Sequence, residues 1–157
     1  MPETAIHILL NMFQIIQMYG YMPSGSRVYF LNRSQPPFLT LTFSLIYDYM
    51  KEKDPGRAQK LLENGIGYLE AENKFWNEND RKVTGQKEQK IKRLSKYSSQ
   101  QSCPRYERYV QDAEAKEKAG VKEDDATFFK KVASICESGW DFSSRWFKVA
   151  CILKELQ

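Results

Sequence analysis

The chain has 157 residues, 41% apolar and 28% charged, a composition that fits one soluble-type domain by length and excludes a disordered segment. Its net charge of +4 is a small excess of 24 Lys and Arg over 20 Asp and Glu, which reads as a solvated surface rather than a nucleic-acid-binding face. Three widely spaced cysteines, Cys103, Cys136 and Cys151, with His7 as the lone imidazole, support neither a disulfide framework nor a metal site.

In chain order, the first candidate element covers residues 5–19. Ile6, Leu9, Leu10, Phe13 and Ile16, joined by Ile8, Met12, Ile15 and Met18, predict a helix apolar on nearly all sides and stopped by Gly20. It does not read as a secretion signal. Glu3 precedes it without Lys or Arg, no small-residue cleavage site follows, Asn11, Gln14 and Gln17 interrupt it, and it is too short to cross a bilayer. A loop over 21–35 leads to Pro36-Pro37, which is expected to open a second apolar helix running from Phe38 through Phe43 and Ile46 to Met50. Asp54-Pro55 reads as N-cap and first helical residue of a third helix, with Leu61, Leu62, Ile66, Leu69, Phe75 and Trp76 at three- and four-residue spacing around Gly65 and Gly67.

From 80 to 102 no apolar period survives and Arg81, Lys82, Lys87, Lys90, Lys92, Arg93 and Lys96 dominate, so this stretch reads as a loop with a short strand near 94–97. Residues 111–118 predict a polar helix. A further helix begins at Asp124 or Asp125, whose carboxylates suit a helix N-terminus, and runs through Phe128, Phe129, Val132, Ile135 and Cys136 to Ser138-Gly139. Trp140 and Asp141 then fall on the turn just beyond it. Helices joined by functional loops define an all-α fold.

The chemistry gathers at that turn. Asp141 lies among Trp140, Phe142 and Trp146, and a carboxyl desolvated by aromatic rings rises above its ordinary ~3.9 toward values at which it can donate a proton. Arg145 would oppose the shift if its guanidinium pointed at Asp141, and is therefore expected to face away.

The string Gly139-Trp140-Asp141-Phe142-Ser143-Ser144-Arg145-Trp146 resembles a motif of the trehalases, whose aspartate protonates the oxygen between two glucose units. Residues 21–38, with Arg27-Val28-Tyr29-Phe30-Leu31-Asn32-Arg33-Ser34-Gln35-Pro36-Pro37 at their centre, are similar to a second trehalase pattern, and Pro104-Arg105-Tyr106-Glu107 looks like that family's Arg-x-Glu sugar-binding turn. The resemblance implies an incomplete part of an (α/α)6 toroid of the six-hairpin glycosidase type, with residues 1–157 a single piece of the catalytic domain and 148–157 a divergent tail. It implies inverting hydrolysis of α,α-trehalose to glucose without a metal or organic cofactor. Asp141 would be the general acid, and Ser24, Arg33, Ser34, Gln35, Arg105, Glu107 and Gly139 would contact the sugar. Guanidinium and amide donors are suited to holding vicinal hydroxyls. Ser24 stands where the family usually has asparagine, a longer group that both donates and accepts, so that contact is expected to be weakened.

The Asn32-Arg33-Ser34 sequon lies in this sugar-contacting loop and is discounted as a glycosylation site. The family's Pro-Gly-Gly-Arg-Phe and Gln-Trp-Asp-x-Pro-x-Gly-Trp strings do not occur, and its glutamate base lies beyond the matched region. The chain is therefore expected to be an internal fragment, inactive alone, whose partner is a small sugar rather than a nucleic acid or a membrane. Two alternatives are a truncated inactive paralogue and a helical interaction module whose basic stretch 81–96 binds an anionic partner. Tyr97 is the only aromatic near that stretch, which disfavours single-strand binding.

Overall fold

The computed structural model describes residues 2–78, 81–87, 90–120, 122–141 and 143, so the expectations for Phe142, Arg145, Trp146 and the tail 148–157 lie outside the described residues. The chain divides into two compact units, Met1–Met22 with Pro37–Ser95 and Pro23–Pro36 with Lys96–Gln157.

The first unit holds α1 (Pro2–Tyr19), α2 (Leu39–Lys53), α3 (Pro55–Asn77) and an antiparallel hairpin of β1 (Lys82–Lys87) and β2 (Lys90–Ser95). Its core takes Ile6, Leu9, Phe13 and Ile16 from α1, at the spacing of one helix face, with Leu39, Phe43 and Met50 from α2 and Ala58 and Leu61 from α3. Gly20, at φ +76, ends α1, and its N–H reaches the Ile16 carbonyl at 2.7 Å. Asp54 caps α3 by accepting from the Arg57 N–H at 2.9 Å, with Pro55 in the first turn as expected.

Gly65 sits where α3 meets two rings: a Cβ there would stand 2.9 Å from Phe43 Cε2 and 3.0 Å from Phe13 Cζ. The second helix starts at Leu39 rather than at Pro36-Pro37, and Phe38 offers its first turn no side-chain cap. Glu72, buried on α3, accepts from the Thr40 backbone instead, and burial pushes its carboxyl above the usual range. The opposite face of α2 carries Leu41, Leu45 and Tyr49, all exposed at four-residue spacing.

The hairpin corrects the expectation of a loop with one strand near 94–97. Val83 pairs with Leu94, yet both side chains remain exposed, so this pair buries little apolar surface, and the stretch shows no apolar period in sequence. It is tethered at its entry by Arg81, whose guanidinium lies 4.1 Å from the Phe75 ring centre and 4.9 Å from that of Trp76. Apart from this hairpin the described regular structure is helical, and the fold class is all-α.

The second unit contains a 3-10 turn at Val28–Phe30, another at Tyr106–Arg108, then α4 (Tyr109–Ala119) and α5 (Asp125–Glu137). Asp124 caps α5 by accepting from the Thr127 N–H at 3.0 Å. Gly120 closes α4 at φ +57, and Gly139 turns the chain out of α5 at φ +68. Phe128, Phe129 and Val132 form an apolar cluster, while Arg33, Ser34, Ser99, Arg105, Asp112, Glu137 and Ser138 are also buried. Buried polar groups in such density must satisfy one another, and that demand shapes the site.

Candidate active site

Every residue that the sequence nominates for sugar chemistry belongs to the second unit. The loop from Pro23 to Pro36 closes on itself by a strand-like bridge of Pro23 with Ser34 and by the Ser24 N–H on the Arg33 carbonyl at 2.9 Å. Ser24 Oγ accepts from Gln35 Nε2 at 2.7 Å, so the serine standing in for asparagine orients Gln35. Arg33 is buried. Its Nη2 donates to Glu107 Oε1 at 2.7 Å, its Nη1 donates to Asn32 Oδ1 at 3.0 Å, and its guanidinium carbon lies 5.4 Å from the Phe30 ring centre. Ser34 turns its N–H (3.0 Å) and its hydroxyl (2.7 Å) onto Glu137 Oε1.

Arg105 is held more tightly still. Its Nε and Nη2 donate to the two oxygens of Asp112 at 2.8 and 2.6 Å, its backbone N–H donates to Asp112 Oδ2 at 3.0 Å, and its Nη1 reaches Cys136 Sγ at 2.7 Å. Burial opposes the Arg105 charge, but the Asp112 carboxylate raises its pKa further beyond physiological range. Burial also pushes the Cys136 thiol up, to about 11, so it stands there as a neutral group.

Asp141 follows Gly139 and Trp140 on the turn after α5. Burial raises its carboxyl above the usual aspartate range, while the Arg105 and Arg33 charges and a hydrogen bond from Cys136 pull it back. Trp140, nominated as a desolvating ring, is 56% exposed, because the left-handed turn at Gly139 sends the chain outward there. The Gly139 backbone lies against the Gln35-Pro36 segment: a Cβ built on it would stand 3.5 Å from Pro36 Cγ. Among the described residues, four buried side-chain atoms have no hydrogen-bond partner: Asn32 Nδ2, Arg33 Nε, Glu107 Oε2 and Asp141 Oδ1. Three of the four belong to residues nominated from sequence. No group of three His, Cys, Asp or Glu side chains gathers as metal ligands among the described residues, and no described helix is long and apolar enough to cross a membrane.

Asp112, Cys136 and the structural use of Glu137 were not read from sequence. Nothing marks Asp112 within a polar helix as a partner for an arginine seven residues earlier, or Glu137 at the end of α5 as a fully buried acceptor.

A carboxyl raised by burial thus stands beside paired guanidinium and carboxylate groups, and comparison with known proteins gives the lineage. The Trehalase family profile matches residues 1–155. The chain is 37% identical over 146 residues to a trehalase of Tenebrio molitor, covering 93% of this chain and 25% of that protein. It is 36% identical to a trehalase of Homo sapiens, with 93% and 24% covered, and 34% identical to a probable trehalase of Oryza sativa subsp. japonica, with 94% and 25% covered. The chain belongs to the trehalase family. It spans about a quarter of the length of the curated relatives it matches.

Proposed function

We propose that this chain supplies the acid side of a trehalose-hydrolysing site, with Asp141 as general acid and Arg33, Gln35, Arg105, Glu107 and the Gly139 backbone as sugar contacts. The observation that carries this reading is the pair of buried, unpartnered carboxylate oxygens, Asp141 Oδ1 and Glu107 Oε2, beside the unpartnered Arg33 Nε. Buried polar atoms are ordinarily satisfied, so a cluster of exceptions fits groups that await sugar hydroxyls and a glycosidic oxygen. Burial of Asp141 supports the role further, since it favours the protonated form of the carboxyl, the form that can deliver a proton to the leaving oxygen.

In an inverting reaction a second carboxylate activates water from the opposite face, roughly 6.5–9.5 Å from the acid. Neither nearby glutamate suits that role, since Glu137 is fully buried and Glu107 is paired with Arg33. The base then comes from outside this chain, and the chain alone binds sugar without cleaving it. The test is a trehalose titration of the isotopically labelled chain with a parallel glucose-release assay. Saturable shifts at Arg33, Gln35 and Asp141 with no glucose are expected. Absence of any saturable shift overturns the binding role, and glucose release that Asp141→Asn abolishes overturns the assignment of the base to another segment.

A further inference from the structure

Glu137 ends α5 with none of its surface exposed, four residues before Asp141. Its carboxylate is a two-sided acceptor. Oε1 takes the Ser34 N–H at 3.0 Å and the Ser34 hydroxyl at 2.7 Å, while Oε2 takes the Ser98 N–H at 2.7 Å. Hydrogen bonds to an ionised acceptor are shorter and stronger than neutral ones, so one side chain joins two backbone segments firmly to the end of a helix. The first segment is the loop in which Arg33 and Gln35 flank Ser34. The second, Ser98-Ser99, braces the same loop again: Ser99 Oγ donates to the Asn32 carbonyl at 3.0 Å, and the Ser99 N–H donates to Ser134 Oγ, one helical turn before Glu137, at 2.8 Å.

Beyond Glu137 the chain is equally fixed. Ser138 Oγ donates to the Ile135 carbonyl at 2.6 Å and accepts from the Trp140 N–H at 3.1 Å, which sets the turn that presents Asp141. The sugar-contacting loop and the acid are thereby mounted on the same two residues.

We propose that Glu137 is the positioning residue of this site, a buried carboxylate that sets the place of Arg33 and Gln35 relative to Asp141 and never itself touches substrate or water. The assignment rests on the sugar-binding reading of the loop. It accounts for a buried ionisable group that the reaction does not use, and it gives Ser34 a role through its amide and hydroxyl. An amide in place of the carboxylate cannot serve the same function: Glu137→Gln keeps the volume but turns an N–H2 toward either the Ser34 or the Ser98 donor, leaving one of them facing another donor.

The experiment compares the full chain with Glu137→Gln and with Ser34→Ala, which removes only the hydroxyl donor. Two quantities are read: the dissociation constant for trehalose and the titration midpoint of the Asp141 carboxyl, followed by carbon NMR without sugar. The groups facing Asp141 are Arg105, Arg33 and Cys136. Loosening Arg33 removes one of the two cations that hold the midpoint down, so it is expected to move further up in Glu137→Gln, and less far in Ser34→Ala. Trehalose affinity is expected to fall about tenfold or more in Glu137→Gln, the equivalent of one charge-assisted hydrogen bond. A Glu137→Gln chain that is less stable but leaves the Asp141 midpoint unchanged makes Glu137 a support of the core alone, and the proposal fails. If Glu137→Gln does not fold, an unmoved midpoint in Ser34→Ala is the refuting result. Failure of the unsubstituted chain to bind trehalose defeats the sugar-binding reading, while the Asp141 midpoint, measured without sugar, still decides the positioning role.

Discussion

The substitution Asp112→Ala is the sharpest probe of what holds the second unit together. Asp112 is fully buried, and Arg105 retains 8% exposure. The aspartate accepts three hydrogen bonds from Arg105, from Nε, Nη2 and the backbone N–H. Removing it leaves a buried guanidinium facing a void. Breaking one side of a buried ion pair costs about 3–5 kcal/mol, because the remaining charge keeps its desolvation penalty without its partner. Domains of this kind have total stabilities of about 5–15 kcal/mol, so the loss is a large fraction of the whole. At ~2–4 °C per kcal/mol for a chain of this size, the melting temperature should fall by ~6–20 °C.

The assay is urea denaturation followed by circular dichroism, with the midpoint and slope fitted separately. Two companions sharpen it. Replacing the pair together, Asp112→Leu with Arg105→Met, should recover most of the loss, since well-packed apolar groups often replace a buried pair at little cost. Glu3→Gln, which breaks the bidentate pair of Arg57 with Glu3 on the exposed surface of the first unit, should be indistinguishable from the parent, because solvent screens it. A loss below ~1 kcal/mol for Asp112→Ala, or a double substitution no better than the single one, refutes the reasoning.

In the first unit, Gly65→Ala should destabilise by about 1–3 kcal/mol through collision with Phe43 and Phe13, whereas Gly67→Ala, with nothing within 4 Å, should stabilise by about 0.5–1 kcal/mol through helix propensity. Thermal melts of the two variants test this, and equal signs would mean that α3 does not meet those rings. Glu72→Gln tests the buried carboxyl on α3. Burial raises the Glu72 pKa in the folded state, so its protonated form favours folding below the unfolded value of about 4.3, and that contribution is lost as pH rises through the folded value. Gln imitates the protonated form and keeps an acceptor for Thr40. The variant should therefore melt higher than the parent at neutral pH and equal to it in mild acid, and a lower melting temperature at neutral pH would show that the charged form is the stabilising one.

Helix ends were legible in the sequence wherever a cap is local. Gly20, Asp54-Pro55, Asp124 and Ser138-Gly139 each act on backbone groups within a few residues, so the sequence carries the whole instruction. The start of α2 was not, because Pro36 lies against Gly139 instead of opening the helix, and the first turn is capped from α3 by Glu72. The hairpin of β1 and β2 was hidden for another reason: its pairing is made by backbone, and its residues carry no apolar period in sequence. For the site, motif strings nominate residues but not their partners. Arg33 meets Glu107 across 74 positions and Ser34 meets Glu137 across 103, and no spacing rule connects them.

The Asp141 carboxyl poses a question that the sequence framed around Arg145 and the structure poses around two other arginines. Arg105 and Arg33 both draw Asp141 toward its charged form, yet its pKa stands above the ordinary value because burial outweighs them. Burial wins in part because neither guanidinium acts as a bare charge. Arg105 is paired with Asp112 at 2.6 Å and Arg33 with Glu107 at 2.7 Å, and the field of an ion pair falls off faster with distance than that of a lone cation. The pairs that fix Arg105 and Arg33 thus also weaken their pull on Asp141 and let burial raise its carboxyl. Asp112→Asn, which preserves shape while removing the charge, should then lower the titration midpoint of Asp141 as Arg105 acts on it unopposed. A variant of reduced stability whose Asp141 midpoint stayed where it was would mean that burial alone sets that carboxyl, and that the pairing serves only to hold the chain in place.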